Sequence, residues 1–145
     1  MTKNSSYNNK GSKKTGMLFG TFDIVHPGHL HLFAQARKHS DYIIAVIARD
    51  KTVERVKGRQ SKNNELSRLR KVKKHKIAEL VVLGNLRDKY ATIKKYRPDI
   101  IFLGYDQFVF VDDLITKLDE LALKRTKIVR LKPHKPEIYK TSKMI

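Results

Sequence analysis

Ten consecutive residues carry the densest chemistry in the chain: Gly20-Thr21-Phe22-Asp23-Ile24-Val25-His26-Pro27-Gly28-His29. Gly20 permits a tight turn and close backbone approach to a ligand. Pro27 and Gly28 suit the first turn of a helix, whose leading N–H groups have no partner inside the helix. His26 and His29 are therefore delivered to the positive end of a helix dipole. Oriented amides plus two imidazoles form an anion site, and the anion that fits best is a phosphate chain. Two other readings stand beside it. The histidines are solvent-facing loop residues, or they are a metal pair whose only nearby third ligand is Asp23.

Four further stretches bear polar or charged groups at element ends. Ala48-Arg49-Asp50-Lys51-Thr52-Val53 is followed by Lys57-Gly58-Arg59, two flexible cations around a glycine that can fold over phosphates or simply be solvated. Asn64-Glu65-Leu66-Ser67-Arg68-Leu69 reads as a helix start. Arg97 to Gln107 runs from a strand through Gly104 into Tyr105 and Asp106, with Phe108 and Phe110 beyond. Tyr139 to Ile145 taken alone is a basic tail containing Thr141, Ser142 and Lys143.

The elements that position these residues alternate in type. Strands are expected at Met17 to Phe22, Tyr42 to Ala48, Leu80 to Leu83, Asp99 to Leu103 and Lys127 to Leu131. Helices are expected at Gly28 to His39, a short one from Asp50 through Val56, Asn64 or Glu65 to about Lys76, Arg87 to Tyr96 ahead of Pro98, and Asp112 to Lys124. Their apolar faces are Leu30, Leu32, Phe33 and Ala36; Leu66, Leu69 and Val72; and Leu114, Ile115, Leu118, Leu121 and Ala122. Alternating strands and helices give an α/β fold, a Rossmann-like open parallel five-stranded sheet with helices on both faces. Ligands of such sheets sit beyond the carboxyl ends of the strands, where the strand order reverses. That rule points to the loops after the first strand and after Leu103.

Composition bounds the rest. The 145 residues suit one domain, read as a disordered basic tail over 1–16 and a folded domain over 17–145. There is no cysteine, so neither a disulfide nor thiolate chemistry operates. The longest purely apolar run, Ile43 to Ala48, is far short of the roughly 20 residues of a membrane-spanning helix. The polar N-terminus lacks the apolar core of a signal peptide, which makes the cytoplasm the expected compartment. The net charge is +18, and residues 49–76 hold twelve basic and three acidic residues, half of the excess. Such a field favours polyanions, nucleic acid among them, although a lysine-rich composition accounts for much of it.

With these motifs assembled, the chain resembles the nucleotidyltransferase superfamily that carries a His-x-Gly-His signature, in its cytidylyltransferase-like branch. The resemblance runs from Met17 to Ile145. It is strongest to archaeal-type FAD synthases, through Arg49-Asp50, Lys57-Gly58-Arg59 and Gly104-Tyr105-Asp106-Gln107, and next to glycerol-3-phosphate cytidylyltransferases. It implies that His26 and His29 contact the triphosphate. It also implies that the backbone near Thr21 and Phe22 holds the α-phosphate, that Gly20 and Gly28 belong to the nucleotide-binding site, and that Asp23 orients the site or its metal. Lys57 matches a phosphate-binding lysine and Arg68 an arginine near the active site. Gly104, Tyr105 and Asp106 match the nucleoside loop, where an exposed Phe108 or Phe110 would stack on adenine or a flavin. Thr141, Ser142 and Lys143 match a motif that grips the β- and γ-phosphates. Ile77 and Ala78 stand where relatives carry a Val-Asp pair tied to the subunit interface, so a homodimer is left open. Lys140 replaces the usual small polar residue, and the chain runs only two residues past Lys143.

The function implied is transfer of a nucleoside monophosphate from ATP or CTP to a phosphorylated acceptor, with pyrophosphate released. Mg²⁺ or another divalent cation would bridge the triphosphate. ATP with FMN, giving FAD, is the first expectation. CTP with glycerol 3-phosphate or a similar small phosphorylated alcohol is the second. A non-catalytic nucleic-acid binder is the alternative of another class; it explains the charge but not the two histidines in their glycine-flanked loop. No membrane partner is expected.

Overall fold

The structure, a computed structural model, describes residues 13–104 and 111–132. Five strands form one sheet: β1 (Thr15–Gly20), β2 (Tyr42–Ile47), β3 (Leu80–Leu83), β4 (Ile100–Leu103) and β5 (Lys127–Arg130). Their order is β3-β2-β1-β4-β5 and every pairing is parallel. Five helices complete the chain: α1 (Pro27–His39), α2 (Asp50–Lys57), α3 (Glu65–Lys74), α4 (Ala91–Tyr96) and α5 (Val111–Glu120). The expected α/β, Rossmann-like architecture is the observed one.

The period-2 alternation of the strands splits the core in two. Leu18, Ile43, Ala45, Ile47 and Phe102 face one side with Phe33 and Ala36 of α1 and Val72 of α3. Met17, Ile44, Val46, Ile101 and Leu103 face the other, against Ile93 of α4 and Leu114 and Leu118 of α5. Both faces of β2 and β4 are buried, which is why those strands read as continuous apolar runs. The helical stripes are narrower than the sequence suggests. Leu66 is 53% and Ile115 57% exposed, on the outer edges of α3 and α5. Ile77 and Ala78 pack against the first core cluster.

Several boundaries move. The first strand begins at Thr15, ahead of the expected boundary at residue 17. The Thr15 amide donates to Asp99 Oδ2 at 2.8 Å, Lys14 N donates to Asp41 Oδ2 at 3.0 Å, and Gly16 pairs with both Ile43 and Ile100. Residues 1–12 lie outside the described residues. The helix expected from Arg87 begins only at Ala91, because side chains capture the preceding amides. Asn85 Oδ1 accepts from Arg87 N at 2.8 Å and Asp88 N at 2.9 Å, and Asp88 Oδ1 accepts from Tyr90 N at 2.9 Å. The last helix stops at Glu120 rather than Lys124. Ala122 adopts φ 60°, Leu123 N reaches Leu118 O at 2.8 Å and Ala122 N reaches Asp119 O at 3.2 Å, a Schellman stop built without glycine.

Candidate active site

The order reverses at β1, which takes β2 on one side and β4 on the other. A cleft of about 900 Å³ opens beyond the carboxyl ends of the strands at this point. It brings together Gly20, Thr21, Phe22, Asp23, His29, Lys57 and Gly104. The remaining described candidates border it. His26 stacks on His29 with ring centroids 3.9 Å apart, and Gly28 lies between them at the start of α1. Tyr105, Asp106, Phe108, Phe110, Thr141, Ser142 and Lys143 lie outside the described residues.

The two histidines cap their own helix. His26 is the N-cap, and its Nδ1 accepts from Gly28 N at 3.0 Å. His29 Nδ1 accepts from His26 N at 3.3 Å. Imidazole substitutes here for the Ser and Glu of an ordinary capping box. An accepting Nδ1 carries no proton, so this pattern assigns both rings the neutral tautomer protonated at Nε2. Each ring therefore carries its one N–H at Nε2, and that of His29 is held by the Ile24 backbone.

Burial lowers the pKa of His26. For His29 burial dominates, and the neighbouring His26 and the charge of Lys57 lower it further. A hydrogen bond to the Ile24 backbone opposes them, and the result is about 4. The consequence for stability has a definite sign. Unfolded, His29 titrates near 6.5; folded, it resists protonation down to about 4. Its contribution is fully present above pH 6.5 and is lost as pH falls through that window, to a limit of roughly 3 kcal/mol. The urea midpoint of the wild type should therefore fall between pH 6.5 and 4 more steeply than that of His29→Gln. Equal slopes would show that His29 is not buried neutral.

Gly20 lines the cleft and also makes room for a neighbouring ring: a Cβ there would stand 2.6 Å from the Phe22 ring. Phe22 is held at φ 52°, a conformation costly for an aromatic residue, and is 6% exposed. Its ring meets His29 edge-on at 5.2 Å and Phe33 at 5.6 Å. The strained turn thus supports the His29 ring from below.

Asp23 ties two loops together. Its carboxylate accepts from Lys62 N and Asn63 N, both at 2.8 Å, and from Asn63 Nδ2 at 3.0 Å, while its carbonyl accepts from Asn63 Nδ2 at 2.9 Å. Burial raises the carboxyl pKa, but these donors and the Arg68 charge outweigh it and leave it below the ordinary value. Three of its roughly four lone-pair sites are thereby engaged. Among the described residues no group of three or more His, Cys, Asp or Glu side chains could hold a metal ion.

Arg68 is fully buried. Its Nε donates to Asn63 O at 3.0 Å, Nη1 to Thr21 O at 2.9 Å and Nη2 to Asp50 Oδ1 at 2.8 Å. It holds the loops around the cleft and is not among the residues that line it. The brace continues. Asp50 Oδ2 accepts from Glu65 N at 3.2 Å, Glu65 Oε1 accepts from Asp50 N at 2.8 Å, and Arg49 pairs with Glu65 at 3.2 Å. Arg49 Nη1 then reaches Gly84 O at 3.3 Å. A connected line of charged groups thus runs from the β1–α1 loop to the end of β3. Asn63, Asp50 and Glu65 gave no separate signal in the sequence, where Asp50 and Glu65 look like helix caps. Gly58 closes α2 at φ 74° and turns Lys57 and Arg59 toward the same cleft. Beyond β4, Arg130 Nη1 donates to Gly104 O at 2.8 Å and fixes the start of the second loop.

By contrast, Arg70, Lys71, Lys73, Lys74 and Lys76 are exposed on the outer side of α3 and of the turn after it, away from the cleft lining. No helix among the described residues is long and apolar enough to cross a membrane.

Comparison with known proteins agrees with this geometry. Residues 17–145 match the family model described as cytidylyltransferase-like. The chain is 41% identical over 118 residues to the FAD synthase of Aciduliprofundum boonei, covering 81% of this chain and 78% of that protein. It is 36% identical over 126 residues to the FAD synthase of Picrophilus torridus, covering 87% and 89%. Among solved structures, the lipopolysaccharide core biosynthesis protein of Thermoplasma volcanium superposes with a TM-score of 0.78 at 35% identity, over 85% of this chain and 99% of that one.

Proposed function

The chain belongs to the cytidylyltransferase-like family, and we propose that it is the nucleotidyltransferase that moves AMP from ATP to FMN, giving FAD and pyrophosphate. The observation that carries the chemistry is the stacked, neutral His26–His29 pair at the positive end of α1, with His29 lining the cleft at the switch point and His26 at its border. A phosphate oxygen of FMN attacks the α-phosphorus of ATP, one P–O bond forms, and the bond to the pyrophosphate oxygen breaks in line. The Nε2–H groups of the two histidines and the ammonium of Lys57 stabilise the charge that builds on the phosphate oxygens. Arg68 and Asp23 hold the loops that carry them. Positioning and charge neutralisation carry the transfer, and no side chain acts as a nucleophile.

The FAD synthases of A. boonei and P. torridus support the choice of ATP and FMN. The cleft supports it too. Its volume lies near the top of the roughly 300–1,000 Å³ range of small-molecule sites, and much of its lining is apolar, as a flavin ring needs and a polyol does not. Thr141, Ser142 and Lys143 are assigned to the β- and γ-phosphates, and Tyr105 and Asp106 to the nucleoside. A divalent cation, Mg²⁺ in the first instance, would neutralise triphosphate charge; Asp23 is the side chain that would reach it, through the carboxylate lone pair its bonds to Lys62 and Asn63 leave open. The reaction belongs in the cytoplasm, where ATP and FMN are both present.

A panel crossing ATP and CTP with FMN, glycerol 3-phosphate and phosphocholine, read by pyrophosphate release, tests the assignment. ATP with FMN should be the productive pair. Turnover confined to CTP with glycerol 3-phosphate would replace it with a cytidylyl transfer. Turnover with no pair would remove the catalytic reading.

A further inference from the structure

The cleft has a second cationic wall, formed by residues 84–90 between β3 and α4. This loop is a built turn. Arg49 holds the Gly84 carbonyl, Asn85 Oδ1 holds the amides of Arg87 and Asp88, and Asp88 Oδ1 holds that of Tyr90. The charges of the loop are mostly spoken for. Asp88 Oδ2 accepts from Lys94 Nζ at 2.7 Å, and Lys89 Nζ lies 3.8 Å from Asp113. Arg87 differs. It is exposed, it lines the cleft, and its guanidinium has no hydrogen bond or ion pair among the described residues.

The strand order places this arginine. β3 lies two positions from β1, so the ends of the two strands stand about 10 Å apart at roughly 4.8 Å per strand. An extended arginine side chain closes most of that gap. With the nucleoside assigned to the loop after β4, next to β1 where the order reverses, the β2–β3 side is left for the other reactant. That side also carries Val56, 64% exposed yet lining the cleft, and Leu86, apolar surface that an organic ligand would cover.

We propose that Arg87 binds the phosphate monoester of the acceptor and presents it to the α-phosphorus, so that the enzyme selects a phosphorylated flavin over the free one. The guanidinium fork suits a terminal phosphate, engaging two oxygens while the third attacks. The brace from Thr21 through Arg68, Asp50, Glu65 and Arg49 to Gly84 fixes this loop relative to the histidines. The inference rests on FMN being the acceptor.

Flavin fluorescence titrations of FMN and riboflavin with the wild type and Arg87→Ala, each in the presence of a non-hydrolysable ATP analogue, test it. The wild type should bind FMN about 10–100-fold more tightly than riboflavin, the value of a charge-assisted contact of roughly 1.5–3 kcal/mol. Arg87→Ala should bring FMN down to the riboflavin level, leave riboflavin and the ATP analogue unchanged, and raise KM for FMN but not for ATP. Equal weakening of both flavins, or weakening of the ATP analogue alone, overturns the assignment while leaving FMN as acceptor. If neither flavin binds the wild type, the FMN reading itself fails and this inference with it.

Discussion

Replacing either His29 or His26 with alanine should lower kcat by about 10²–10³ while nucleotide affinity changes little. Each ring supplies one Nε2–H to oxygens whose charge grows only as the reaction proceeds, and loss of one such preorganised donor has that effect. The same rings also cap α1, so each alanine variant should lose about 1 kcal/mol of stability as well. The two effects can be separated. His26→Asn keeps a side-chain acceptor at the N-cap and should recover the stability, but it does not place a donor where imidazole Nε2 stands, and turnover should stay low. Stopped-flow single-turnover assays beside urea denaturation curves give both quantities. Unchanged kcat in both alanine variants, or full activity in His26→Asn, would falsify the phosphate-donor role.

The second large effect is expected at Arg68. Arg68→Met fills similar space but removes the donors to Thr21 O, Asn63 O and Asp50 Oδ1 together. Orphaned buried acceptors cost about 1–3 kcal/mol each, and breaking a buried ion pair about 3–5. Asp50 is 32% exposed and can turn to water, which places the total near the lower figure, about 3 kcal/mol. Arg68→Lys should recover only part of it, since one ammonium cannot span three acceptors on three segments. Activity should fall in both variants through misplacement of the β1–α1 and α2–α3 loops. A stability loss below about 1 kcal/mol in Arg68→Met would show that the brace carries little.

The contrast between these residues explains what the sequence disclosed. His26 and His29 sit in one ten-residue string between a strand and a helix, so their placement needs only local rules. The sheet was legible for the same reason: its buried strands are short apolar runs, and β1, β3 and β4 each end at or against a glycine. Arg68 was legible as a residue but not as a role. Its partners are 5, 18 and 47 positions away, and only the folded loops reveal that it faces inward. Gly20 was legible as a tight turn, but the sequence did not show that its missing Cβ also leaves room for the Phe22 ring two residues on. The start of α4 was misplaced because Asn85 and Asp88 compete for amides that a helix would otherwise use.

The position of β1 also sets an order of events during synthesis. Everything needed to build β1, β2 and β3 lies before residue 84, whereas the other side of β1 must wait for β4, and the Thr15–Asp99 bond spans 84 residues. Roughly 50 residues separate the end of β2 from the start of β4, about 3–10 s of translation at 5–20 residues per second. For that interval the nascent chain presents the strand carrying Met17 and Leu18 as a bare edge, with parallel pairing still to come. The feature that creates the crevice, a first strand destined for the middle of the sheet, therefore also leaves a core strand edge unpaired while the chain is still attached to the ribosome.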